Sequence, residues 1–165
     1  MKEILDKISS YNFFNYLLPG ILFVVIVEKF TFYSFIQENI IIGIFLYYFI
    51  GLVISRFGSL IIEPFLKRIS FIKFSNYADF ISASEKDSKI EIFSEINNMY
   101  RTFISMFFLI LLLKLYELIE SIFPALSGWN FYILFAALLT MFLYSYRKQT
   151  KYISSRVNKA LKKEL

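Results

Sequence analysis

Four long apolar stretches, separated by shorter polar ones, dominate the chain. Residues 13–35 are apolar except for Asn15, Glu28, Lys29 and a few small or hydroxyl side chains. Residues 40–62 carry one charge, Arg56. Residues 103–123 carry Lys114, Glu117 and Glu120, all in the second half, and residues 129–146 carry no charge. A helix needs about 20 mostly apolar residues to cross the hydrocarbon core of a bilayer, and each stretch is near that length. None keeps the wet face that a soluble amphipathic helix presents. The pattern predicts an all-α integral membrane protein, a bundle of four transmembrane helices arranged as two hairpins. The spans fall at 13–35, 40–62, 103–123 and 129–146, within a single membrane domain covering 1–165.

The polar stretches predict the rest. Residues 1–12 place Ile4, Leu5 and Ile8 at helical spacing among charges, as in a helix lying in the membrane interface. Pro19-Gly20 interrupts the first span and predicts a kink or a bent approach, with the crossing helix proper starting near Pro19. Glu63-Pro64 predicts the end of the second span, because proline disfavours helical geometry in the residue before it. Residues 63–101 form the charged central segment, of which 65–74 suit the headgroup layer and 76–88 are the most polar part. Ser88 with Glu91 three residues on matches a capping box. Ile92/Phe93, Ile96 and Met99/Tyr100 then recur every three to four residues with no breaker before Phe103. One helix over 88–123, the third span lengthened beyond the membrane, follows. The tail 147–165 is basic, with Ile153, Val157 and Leu161 on one stripe: an amphipathic helix.

Charge adds orientation. Charged residues make up 19% of the chain, below the ~25% usual for soluble domains, and the mean hydropathy is +0.59. Lys2 and Lys7 precede the first span. Arg56, Lys67, Arg68, Lys73, Lys86, Lys89 and Arg101 lie late in the second or between it and the third. Arg147, Lys148, Lys151, Arg156, Lys159, Lys162 and Lys163 follow the fourth. Of the 18 cations only Lys29 and Lys114 fall near the other connections. Such asymmetry assigns both termini and the central segment to the cytoplasm. The pI near 9.3 then reflects topology. Direct nucleic-acid binding is not expected, because Glu63, Asp79, Glu85, Asp87, Glu91 and Glu95 balance the central cations. Neither a cleavage site nor a separate targeting peptide is expected, so the first span is retained. Tyr11, Tyr16, Tyr33, Tyr47, Tyr48, Tyr116, Trp129, Tyr132, Tyr144 and Tyr146 mostly cluster near span ends, as aromatic belts do.

Candidate chemistry is sparse. With no cysteine and no histidine, the chain lacks thiolate chemistry, the commonest metal ligand and the usual neutral-pH proton carrier. No phosphate loop or metal-spaced cluster appears, so neither catalysis, cofactor nor metal is expected. Ionisable side chains at membrane depth are the default functional candidates. Arg56, Glu63, Lys114 and Glu117 form the candidate intramembrane polar site, with Arg56 either snorkelling to the headgroups or paired with Glu63. Asn76, Asp79, Asn97, Asn98, Tyr100 and Arg101 form the densest polar patch of the central segment. It serves either as structural capping or as a docking site for a cytoplasmic protein or nucleotide signal. Gly51, Ser55 and Gly58 line one stripe of small residues, which suits close helix packing within the bundle or a homo-oligomer contact.

The segments Ile54-Ser55-Arg56-Phe57-Gly58-Ser59, Glu63-Pro64, Asp79-Phe80-Ile81 and Glu95-Ile96-Asn97-Asn98-Met99-Tyr100-Arg101 resemble small bacterial four-span membrane proteins. Those proteins are similar to four-helix membrane effectors and accessory proteins of anti-phage defence operons. The resemblance covers about half of the chain and includes no catalytic signature. It implies a non-enzymatic inner-membrane protein, oligomeric, that perturbs or permeabilises the bilayer under cytoplasmic control. A small channel or transporter and a structural scaffold subunit are the competing expectations.

Overall fold

The computed structural model describes residues 10–162, so most of the expected interfacial helix of 1–12 and the last three tail residues lie outside the described residues. Among the described residues every regular element is helical, and four helices are long and apolar enough to cross a membrane. That is the mark of a multi-pass membrane protein.

Helix α1 runs over 10–30 and contains a π-helical turn at Phe13–Leu17. Helix α2 spans Ile40–Arg68, with a second π turn at Gly58–Ile62. A short helix α3, Tyr77–Ser84, is followed by α4, Lys89–Ile122; a 3₁₀ turn, Pro124–Trp129, leads into α5, Asn130–Lys162. The lengthened third span is therefore present as α4. The fourth span and the basic tail are one unbroken helix, since nothing after Tyr146 breaks α-geometry.

Asparagines start two of these helices. Asn39 Oδ1 accepts from the Ile41 and Ile42 amides at 2.9 and 3.2 Å, and Asn76 Oδ1 accepts from the Ala78 amide at 3.0 Å. The capping box expected at Ser88 does not form: Ser88 is helical and its side chain caps nothing. Asp87 takes the role instead, accepting from the Lys89 amide at 2.9 Å.

The two internal prolines correct the expected helix ends. Glu63 has φ −61° and ψ −49°, and α2 runs through Pro64 to Arg68. In both helices a π turn sits immediately before the residue that precedes proline. Leu18 donates to the carbonyl of Phe13, and Glu63 to that of Gly58, each spanning five residues instead of four. The extra residue widens the turn that a proline ring would otherwise strike. Helix α2 stops six residues after the π turn. The Ser70 and Phe71 amides donate back to Lys67 and Leu66, both at 3.0 Å, with Ser70 at φ 59°. This is a Schellman motif with serine in the place usually held by glycine.

The core is formed by three helices. Phe23, Val24 and Val27 of α1, Ile54 of α2 and Met106 of α4 are buried together, flanked by Ile50, Phe103 and Ile110. Helices α1 and α2 touch backbone to backbone. A Cβ at Gly20 would come within 1.8 Å of the Tyr47 carbonyl oxygen, and one at Gly51 within 1.7 Å of the Tyr16 carbonyl oxygen. A Cβ at Gly58 would meet Ser105 Oγ at 2.3 Å, and Ser55 is buried. The Gly51, Ser55 and Gly58 stripe is thus occupied by the chain's own α1 and α4. Of the two roles expected for it, these contacts match close packing within the bundle.

Helix α5 stands apart from this core. No residue of its membrane-length window is buried. It meets α2 through Phe49 and Phe142, stacked 6.1 Å apart, and is held towards its two ends by polar contacts and by the Tyr77–Tyr152 ring pair.

Candidate functional site

The most connected polar group lies at one end of the molecule, where α1 begins, α2 ends and α4 enters the core. Its centre is Glu63, buried on the turn that the π bulge reshapes. One carboxylate oxygen accepts from Lys67 Nζ at 2.8 Å and the other from Arg101 Nη1 at 2.6 Å. Lys67 is the i+4 neighbour on the same helix and is substantially exposed, so its pair is screened and adds little. Arg101 comes from α4 and is largely enclosed. A carboxylate in such surroundings needs a partner, because removing one member of a buried pair costs ~3–5 kcal/mol.

Helix α5 reaches the same place. The π turn gives the Glu63 amide to Gly58, and Pro64 has no amide hydrogen, so the carbonyl of Ser59 accepts from outside the helix. Lys148 Nζ donates to that carbonyl and to Ser59 Oγ, both at 2.7 Å. Neighbouring helices satisfy backbone groups freed by proline in this way in membranes. Electrostatically Lys148 also senses Glu63, Arg101, Lys67 and Arg56.

Beneath this group runs a buried polar seam between α1 and α4. Thr102 Oγ1 donates to the Asn98 carbonyl at 2.9 Å and lies 3.4 Å from Asn15 Oδ1; Ser105 Oγ donates to the Arg101 carbonyl at 2.6 Å. Asn15, Thr102 and Ser105 are all buried. Tyr11 adjoins Asn98, and burial together with Tyr16 pushes its phenol above the usual tyrosine range. An open cleft of about 160 Å³ lies alongside, lined by Tyr11, Phe14, Asn15, Glu95, Ile96 and Met99.

The expected sites are redistributed by this geometry. Arg56 does not pair with Glu63; it is partly exposed and makes no ion pair among the described residues. Lys114 pairs with Glu117 at 3.0 Å, far along α4 from Arg101, so the four intramembrane candidates do not form one site. The polar patch also divides. Arg101 turns inward to Glu63, Asn98 faces α1, Asn76 caps α3, and Tyr100, Asn97 and Asp79 remain exposed.

Two further networks join residues that no spacing along the sequence relates. At the opposite end, Tyr33 donates to Glu120, Asn130 Nδ2 donates to Glu120 at 2.9 Å, and Tyr116 donates to Asn130 Oδ1 at 2.6 Å. Glu120 is buried. Beside Glu63, α3 docks on α5: Lys159 Nζ donates to the Ala78 carbonyl and, at 2.5 Å, to Ser82 Oγ, while Tyr77 and Tyr152 lie 5.1 Å apart. Only the lone intramembrane-edge acids and the basic tail hinted at these partners. No family model, curated protein or solved structure matches the chain.

Proposed function

We propose that the chain is a non-enzymatic effector or accessory protein of the bacterial inner membrane, with both termini and the α2–α4 connection in the cytoplasm. It acts as a homo-oligomer and perturbs or permeabilises the bilayer when a cytoplasmic signal or partner acts on it, in anti-phage defence. The observation that carries this reading is the attachment of α5. A helix with no buried membrane-length window is held by short polar clasps: Asn130 with Glu120 and Tyr116, Lys148 with Ser59, and Lys159 with α3. Moving such a helix exposes little new apolar surface, so its position is cheap to change. The α3–α5 clasp lies in the charged segment, where a soluble signal has access, and the apolar stripe Phe131, Phe135 and Leu139 is open to a second copy.

The test is membrane potential in bacteria expressing the protein, followed before and after phage challenge. Depolarisation that follows challenge, and that Lys159→Ala brings on without challenge, is the expected result. Conductance in wild type without any trigger would select a channel or transporter. A steady potential under both conditions would select a scaffold.

A further inference from the structure

Four cations converge on the last turns of α2, while a single carboxylate pairs within the group. Arg56 and Lys67 belong to α2, Arg101 to α4 and Lys148 to α5; among the described residues Glu63 is the one acid that forms ion pairs in this group, with Lys67 and Arg101. Four positive groups against one negative leave a surplus of three charges. Both oxygens of Glu63 are occupied, by Lys67 and Arg101. The donors that remain are specific. Lys148 uses two of its three N–H bonds on Ser59. Among the described residues Arg56 has no ion-pair partner, and Arg101 Nε is buried with no hydrogen-bond partner. Ser59 Oγ accepts from Lys148 and keeps its own hydrogen to donate. Partly buried cations in such excess require a counterion.

We propose that this group is a phosphate-binding site, taking a phosphate monoester or diester between α2, α4 and α5. Phosphate oxygens suit the donors left open: a planar guanidinium, an ammonium and a hydroxyl, all charge-assisted or adjacent to charge. The phosphate is either the headgroup of an anionic phospholipid or part of a soluble ligand. Basic pockets between transmembrane helices on the cytoplasmic side hold lipid headgroups by the same chemistry. The inference rests on the membrane placement proposed above and on nothing in the permeabilising role. Occupancy of the site tightens α5 against α2, because Lys148 is shared between Ser59 and the ligand.

The test uses the full chain purified in neutral detergent, with phosphatidylglycerol, phosphatidylcholine and inorganic phosphate as separate probes. Native mass spectrometry reads retained lipid, and thermal unfolding reads stabilisation by each probe. Wild type is expected to retain phosphatidylglycerol over phosphatidylcholine, or to be stabilised saturably by inorganic phosphate. Arg56→Gln and Lys148→Gln should each weaken that binding about fivefold, and Lys148→Arg should restore it. Phosphatidylglycerol alone identifies a lipid headgroup; a response to inorganic phosphate identifies a soluble ligand. Arg56 makes no ion pair among the described residues, and an unchanged melting temperature of Arg56→Gln without any probe separates loss of binding from loss of fold. Wild type that discriminates neither probe from phosphatidylcholine, or binding equal in wild type and Arg56→Gln, overturns the proposal. Binding without depolarisation in cells would overturn the effector reading and leave this one standing; depolarisation without binding would do the reverse.

Discussion

Glu63 and Arg101 form the contact between α2 and α4 that single substitutions should report most clearly. Both side chains are mostly enclosed, so Arg101→Ala leaves a carboxylate with only the screened Lys67. The expected loss is ~3 kcal/mol in unfolding free energy, measured by denaturant titration in micelles. Lys67→Ala, by contrast, should cost under ~1 kcal/mol. A loss from Lys67→Ala as large as that from Arg101→Ala would move the centre of the pair away from α4. Ser70 carries the opposite sign. Its left-handed backbone strains any residue with a Cβ, so Ser70→Gly should stabilise by about 1 kcal/mol. A lowered melting temperature would show that the Schellman turn is not the native end of α2. At this scale the sequence was a partial guide. Glu63 stood out as an acid at membrane depth, but its partner lies 38 residues on, and spacing along one helix cannot show a contact between two.

At the scale of elements, helix existence was readable and helix ends were not. Length and hydropathy located four helices long and apolar enough to cross a membrane, and the unbroken 3.6-residue pattern after Ser88 matches the long α4. Pro64 looks like a stop in the sequence because proline normally ends α-geometry; the π turn at Gly58–Ile62 absorbs it. Nothing local in Gly58-Ser59-Leu60-Ile61-Ile62 announces that turn, and the Ser59 carbonyl it frees is filled by Lys148 from another helix. Lys148→Ala should therefore loosen α5 and raise its protease sensitivity near the basic end, with the α1–α2–α4 core unaffected. Gly51 tests the core itself. Alanine is the better helix former by roughly 0.5–1 kcal/mol, yet its Cβ would sit 1.7 Å from the Tyr16 carbonyl oxygen. Backbone atoms cannot swing aside, so overpacking of ~1–3 kcal/mol outweighs propensity. Gly51→Ala is expected to lower the melting temperature of the monomer. An unchanged melting temperature with loss of oligomer would return that stripe to an intermolecular role.

For the whole molecule, the order of attachment matters more than the count of helices. Three helices share a buried core, and the fourth is fastened to it by polar groups at both ends. Both proposals, a movable α5 and a phosphate site at its inner clasp, require the basic end of the molecule to face the cytoplasm. The chain has no cysteine, so single cysteines report orientation without background. Ser127, exposed in the 3₁₀ turn between α4 and α5, and Ser88, exposed just before α4, lie at opposite ends. With a membrane-impermeant thiol reagent on intact cells, Ser127→Cys is expected to label at once, and Ser88→Cys only after the inner membrane is opened. Labelling of Ser88→Cys in intact cells with Ser127→Cys protected would contradict the account.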